Sequence, residues 1–314
     1  MRHITGGTVA IVLIVLSVKG VLAQGVPIPI TDCETITQPG AYVVENNLVA
    51  SYTEDCLVIS SSHVSVDMNG SAITSACPPS NPGCPPIQSG GIAVHITNGA
   101  DHVSISHLVV ENYSVGISAE ADHTSVAGAS LNAIAGISLN NASYSTFTDV
   151  SYTPADKNYH SPNGPILFLT GGSHNSFSFT IATSDSSGVV NNEPGIIITN
   201  SSHNVIEGAD ISCSAEAEAG PGILLTQESN HNYITNNNVF VLFGNGIEVD
   251  LGSDHNVIQN NVVEIEAPPP GSGPPFFALF DQNPDCGSDV WTDNTFGNGE
   301  APGQISASPA NCID

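Results

Sequence analysis

Gly246-Ile247-Glu248-Val249-Asp250-Leu251, then Gly252-Ser253-Asp254-His255-Asn256, then Val257-Ile258-Gln259-Asn260-Asn261-Val262: the reading of this stretch decides the fold. In the first segment Ile247, Val249 and Leu251 share one side of an extended chain, and Glu248 and Asp250 share the other. A short polar corner follows. The next segment alternates again, Val257, Gln259 and Asn261 against Ile258, Asn260 and Val262. No part of the chain shows a convincing helical apolar period.

The same phrase recurs. Gly-Ile segments begin at Gly91, Gly116, Gly136, Gly195, Gly222 and Gly246, with a looser version at Pro165. The corner residue recurs as His63, His102, His123, His174, His203, His231 and His255, with Tyr144 in one repeat. Strands this short cannot bury an apolar side alone. Stacked in register, one turn upon the next, they fuse their apolar sides into one long core. Alternation then points Ala93 and His95, Ser118 and Glu120, Ser138 and Asn140, Leu167 and Leu169, Ile197 and Thr199, Leu224 and Thr226, and Glu248 and Asp250 outward from the Gly-Ile face.

Spacing places the loops. The residues in excess of a short repeat fall just before a Gly-Ile strand, in Cys77 to Pro86, Thr153 to Gly164, Ser184 to Pro194, Cys213 to Pro221 and Ala267 to Pro275. All are expected to leave one corner and to wall one edge of the Gly-Ile face, which makes that face a candidate cleft.

Three motifs, Ser202-His203-Asn204-Val205-Ile206, Asn230-His231-Asn232-Tyr233-Ile234 and Asp254-His255-Asn256-Val257-Ile258, carry a family resemblance. So do the opening Ile36-Thr37-Gln38-Pro39-Gly40-Ala41-Tyr42-Val43-Val44, the following Val64-Ser65-Val66-Asp67-Met68-Asn69-Gly70, and the tail from Asn283 through Trp291 and Phe296 to Ile313. Over about residues 31–314 the chain resembles right-handed parallel β-helix repeat proteins of the pectin-lyase-like superfamily. The resemblance implies an all-β, single-stranded solenoid of about nine coils, on the order of 43 Å long at about 4.8 Å per coil. Terminal caps are expected at 24–35 and at about 276–314. It implies no particular activity, because the superfold hosts many. The catalytic Arg of pectate-lyase relatives is missing from residues 24–314. The Asn-Thr-Asp, Asp-Asp and Gly-His-Gly signatures of polygalacturonase relatives and the Asp-Pro-His-Glu of alginate epimerase relatives are missing too.

Charge and cysteines narrow the setting. The 314 residues hold 30 acids and 3 bases, and two of the bases, Arg2 and Lys19, flank an apolar run at 8–18. That run reads as the core of a secretory signal peptide cut after Ala23, so residues 24–314 form one secreted domain with no membrane segment. Lys157 then opposes all 30 acids, a balance that repels nucleic acid and polyuronates and suits neutral or weakly charged glycans. Seven cysteines suit an oxidising compartment. Proximity suggests the pairs Cys33–Cys56, Cys77–Cys84 and Cys286–Cys312, which leaves Cys213 over as a thiol. Asn69, Asn112, Asn141 and Asn200 each open a sequon, usable in a eukaryotic secretory pathway.

Four sets carry candidate chemistry. Glu248 and Asp250, about 6–7 Å apart on one strand face, supply the acid and base that glycosidases require. The loop holding Asp149, Tyr152, Asp156, Lys157, Tyr159 and His160 offers acid–base groups for sugar elimination or epimerisation. His174, His203, His231 and His255 would stack on successive rungs, where they serve the corner or bind copper or zinc. Asn175, Asn204, Asn232 and Asn256 beside them are expected to bond in a ladder. Asp281, Asn283, Asp285 and Asp289 have a calcium-loop spacing, spoiled by Cys286 and Thr292. No cofactor is expected. The expectation is an extracellular or cell-surface scaffold that contacts glycan, with a carbohydrate-active lyase, hydrolase or epimerase as the alternative.

Overall fold

The computed structural model describes residues 26–51, 53–76, 91–155, 164–186, 193–215, 220–266, 276–298, 307–308 and 313. The chain winds as a single-stranded right-handed parallel β-helix. Each coil has three strands. In one coil these are Ile223–Thr226, Tyr233–Thr235 and Asn238–Leu242. The next repeats them as Ile247–Val249, Val257–Gln259 and Val262–Glu266, and each strand pairs in parallel with its equivalent one coil earlier.

Three strands per coil corrects the sequence reading, which ran Val257 through Val262 as one. Asn260 takes a left-handed φ of 56° and turns the chain there, which buries Asn261 and exposes Val262. The strand at Leu167–Thr170 brings a second correction. Leu167 and Leu169 are buried in the core, while Phe168 and Thr170 are its outward pair. The side-chain period of a strand is two, so a one-residue offset at the irregular Pro165 start exchanges the faces. Ala93, expected outward, is also buried, and Leu251, expected inward, lies exposed past the end of its strand.

The core is a set of columns along the helix axis. Ile137, Leu167, Ile196, Ile223, Ile247 and Leu279 stack in register, all buried. Each such side chain contributes about 1.5–3 kcal/mol on leaving water. The glycine that opens each Gly-Ile strand has a packing reason. A Cβ on Gly222 would stand 2.9 Å from the carbonyl oxygen of Gly246, and one on Gly195 would stand 2.8 Å from that of Gly222. The glycines thus form their own column, where neighbouring coils approach too closely for any side chain.

Buried amides fix two of the three corners. At the first, Asn204 N–H and Nδ2 both donate to Asn232 Oδ1 at 3.0 Å, and Asn232 repeats this to Asn256. The ladder expected beside the histidines is therefore present, and it ends on Asp289 Oδ1. The second ladder, Asn237 to Asn261 to Asn294, was not anticipated.

The third corner carries the excursions. Each stretch outside the described residues between 76 and 307 joins the end of a third strand to the start of a Gly-Ile strand. They begin later than expected, because Thr153, Ser184 and Cys213 still lie in strands. Near the start, Ile28–Ile30 pairs with Gly40–Val44, and Cys33–Cys56 joins the first coil to the next. Residues 276–298 add a coil in register, and Ile313 bridges Trp291. Cys286 is disulfide-bonded. Its expected partner Cys312 lies outside the described residues, as do Cys77, Cys84 and the apolar run at 8–18. No helix among the described residues is long and apolar enough to cross a membrane.

Candidate functional site

Parallel register aligns the outward side chains of the Gly-Ile face into two columns. The first runs Val58, His95, Ser118, Ser138, Phe168, Ile197, Leu224, Glu248 and Phe280. Its middle is apolar. Phe168 is 38% exposed, Ile197 is nearly buried, and Leu224 is half-buried. Phe280, also half-buried, stacks on Phe277 with ring centroids 4.9 Å apart. In the second column Thr170 pairs with Thr199 and Thr199 with Thr226. The hydroxyls of Thr170 and Thr199 are buried with no hydrogen-bond partner.

Glu248 and Asp250 do come together at one end of this stripe, through a residue that sequence reasoning missed. Gln282 Nε2 donates to Glu248 Oε1 at 2.8 Å and to Asp250 Oδ1 at 2.9 Å. Asn245 Nδ2 donates to Glu248 Oε2 at 2.8 Å. Two oxygens held by one nitrogen are closer together than the sum of those two bonds. So close an approach of the nearest oxygens is compatible with the separation of about 5–5.5 Å between the carboxyl groups of a retaining glycosidase pair. Gln282 sits one coil above, so only the register could have revealed it.

The opposite end is polar. Asp55 Oδ1 accepts the Ile92 N–H at 2.8 Å, and Asp55 Oδ2 meets His95 Nδ1 at 2.8 Å. Close by, Tyr113 is 1% exposed and its hydroxyl has no hydrogen-bond partner. Burial first, then the charges of Asp55 and Glu54, push that hydroxyl up to about 12. Beside this end a recess of about 370 Å³ is lined by Asn98, Asp101, Glu120, Asp122 and Asn140.

The expected histidine column is present and longer than the four rungs singled out. The rings of His63, His102, His123, Tyr144, His174, His203, His231 and His255 stack face to face, with centroids 4.5–5.3 Å apart. Each of these residues turns the corner at a left-handed φ between 57° and 60°. The rings meet by their faces, whereas a metal needs the ring-plane nitrogens to converge. Among the described residues no group of three or more His, Cys, Asp or Glu side chains is placed to hold a metal ion.

The calcium spacing resolves into a hydrogen-bonded plug. Asp281 is buried, and its carboxylate accepts from Trp291 Nε1 and from the N–H and Nδ2 of Asn283. Asp289 accepts from Asn256, and burial with the nearby charges of Asp281 and Asp254 raises it to about 7 against those bonds. Tyr152 points into the core, where its hydroxyl donates to Ile134 O at 2.7 Å, so it is no part of a surface loop. Burial raises it further than Tyr113. Lys157, Tyr159 and His160 lie outside the described residues.

No family model matches the sequence, and no curated protein matches it. Solved structures do. The Dettilon tailspike protein (gp208) is 14% identical with a TM-score of 0.65, over 89% of this chain and 56% of that one. The enzymatically active domain of bacteriophage CBA120 tailspike protein 2 is 16% identical with a TM-score of 0.52, over 85% of this chain and 42% of that one. This chain therefore spans about half the length of the structures it matches. At these identities the likeness concerns the fold, and the chain is a parallel β-helix of the kind found in phage tailspikes.

Proposed function

We propose that this chain is an extracellular glycan-contacting β-helix, and that the Gly-Ile face is its contact surface. The observation that carries the reading is the Gln282 amide clamped between Glu248 and Asp250 beside the half-buried Phe280. Sugars present apolar ring faces edged by hydroxyls. An apolar stripe bordered by fixed carboxylates and amides complements both. The acidic balance of the chain favours neutral or weakly charged glycans over polyuronates and nucleic acid. The Cys33–Cys56 disulfide fits secretion.

Catalysis at the same place is the second reading, favoured by the close approach of Glu248 and Asp250. It would be hydrolysis with retention, one carboxyl group attacking and the other donating a proton.

A panel of neutral polysaccharides, read for binding and for new reducing ends, tests both. Retention of a neutral glycan, weakened at least about tenfold by Phe168→Ala or Phe280→Ala, is expected for a contact surface whose aromatics carry the affinity once the glycan covers them. Failure to retain any, or retention indifferent to both substitutions, overturns the contact reading. New reducing ends abolished by Glu248→Gln would establish the catalytic one.

A further inference from the structure

We propose that Asp55, His95 and Ser118 form a nucleophilic triad for acyl transfer, acting on ester-linked acyl groups at the polar end of the Gly-Ile face. The three residues come from three successive coils. Val58 pairs with His95 and His95 with Ser118, so the order along the axis is Asp55, His95, Ser118.

The dyad has the features of an oriented base. The Ile92 N–H fixes one oxygen of Asp55 at 2.8 Å, and the other receives His95 Nδ1 at 2.8 Å. Donation from Nδ1 sets the tautomer and leaves Nε2 with a lone pair. Both side chains are mostly covered, 24% and 30% exposed, so the pair is shielded more than a solvated surface contact. The unpartnered Tyr113 hydroxyl, buried near Asp55, marks the place as one whose polar groups are not fully used by the fold itself.

Ser118 stands beside His95 at rung spacing, about 4.8 Å between backbones, and is half-buried. Its hydroxyl makes no side-chain hydrogen bond to any described residue, His95 included, so the triad requires it to turn onto Nε2 when substrate binds, as catalytic contacts that tighten only in the complex do. Ser138 follows in register one coil on and is half-buried; in the triad its hydroxyl would be the donor to a developing oxyanion.

The chemistry balances with water as the only co-reactant. Ser118 Oγ attacks the ester carbonyl carbon as its proton passes to His95 Nε2. Collapse of the tetrahedral adduct breaks the carbon–alkoxide bond, and the leaving alkoxide takes that proton. His95 then deprotonates a water, which attacks the acyl-serine, and the departing Ser118 oxygen recovers the proton as the carboxylic acid is released. Because the ester need not belong to a polysaccharide, this activity stands or falls independently of glycan binding.

The test treats the full chain with a fluorophosphonate probe and locates the adduct by peptide mapping, alongside hydrolysis of p-nitrophenyl acetate. The expected result is one adduct, on Ser118, with ester turnover lost in Ser118→Ala. His95→Gln should slow labelling and turnover by about 10²–10⁴-fold, the usual contribution of a positioned base. Asp55→Asn should lower both while thermal unfolding shows the fold retained. No adduct on Ser118 in the unaltered chain overturns the triad, as does labelling that proceeds undiminished in a folded His95→Gln variant.

Discussion

Trp291 donates its indole N–H to Asp281 Oδ2 at 2.9 Å, both side chains buried in the same coil. Asp281 occupies the core column, in register above Val249. A carboxyl group ends a stack of hydrophobic residues there, and the indole both covers it and satisfies it. Trp291→Phe keeps most of the cover and removes the donor. It should cost about 1–3 kcal/mol, the range for leaving a buried polar group short of a partner. Urea unfolding measures this, and an unchanged midpoint would show that the bond is replaced by water.

Asp289 gives the plug a pH dependence of known sign. Its folded value, raised to about 7 from 3.8 chiefly by burial, means that the folded chain holds a proton there which the unfolded chain releases. Between about pH 7 and pH 4 this group adds stability as the solution is acidified, and the contribution is lost as pH rises through 7. Asp67 behaves oppositely. The Asn69 N–H and His107 hold it below its usual value, so its contribution is present above about pH 4 and fades below. Melting temperatures recorded from pH 4 to 8 should therefore rise toward the acid side of neutrality, and Asp289→Asn should flatten that rise.

The two residues of the His231-Asn232 pair should behave very differently. Asn232 is buried, accepts from Asn204 twice, and donates to Ser201 O and Asn256 Oδ1. Asn232→Ala leaves several buried groups unmet and should cost about 2–5 kcal/mol. His231→Gly removes an exposed ring stacked on two others, worth about 0.5–1.5 kcal/mol per pair. It also relieves a left-handed backbone that costs an L-residue about 1–2 kcal/mol. These effects oppose each other, so the glycine variant should melt within a few degrees of the unaltered chain.

Gly222→Ala should destabilise by about 1–3 kcal/mol, the usual cost of forcing an atom into a packed site. The added Cβ would meet the Gly246 carbonyl at 2.9 Å and Val241 Cγ2 at 3.0 Å. Gly252→Ala, with open space around the new carbon, should cost only the strain of a φ of 88°. Calorimetry of both variants separates close approach from backbone freedom as the reason for a recurring glycine.

The fold was legible because its signals are translational. Gly-Ile openings, His-Asn corners and alternating strands recur at one phase, and stacking is the only way such units bury their apolar sides. The third strand of each coil was not legible. Asn260-Asn261 repeats the logic of His255-Asn256, a left-handed residue followed by a buried amide, but two asparagines in an asparagine-rich stretch do not announce a corner. The site was less legible still. Glu248 and Asp250 could be paired from their own strand, whereas Gln282, Phe280 and Asp55 reach their partners from neighbouring coils. Contacts across coils depend on how many residues each excursion contains, which alternation does not encode.

The amide ladder at the histidine corner has a further consequence. Asn204, Asn232 and Asn256 offer the same valences upward and downward, and the run of asparagines gives way to Ser145 before Asn175 at one end and to Asp289, an acceptor, at the other. A coil copied and spliced between His203 and His231 would find matching sockets on both sides. Molecular length is thereby uncoupled from the rest of the architecture, and duplication of a single unit can extend the working surface by one step without redesigning either extremity.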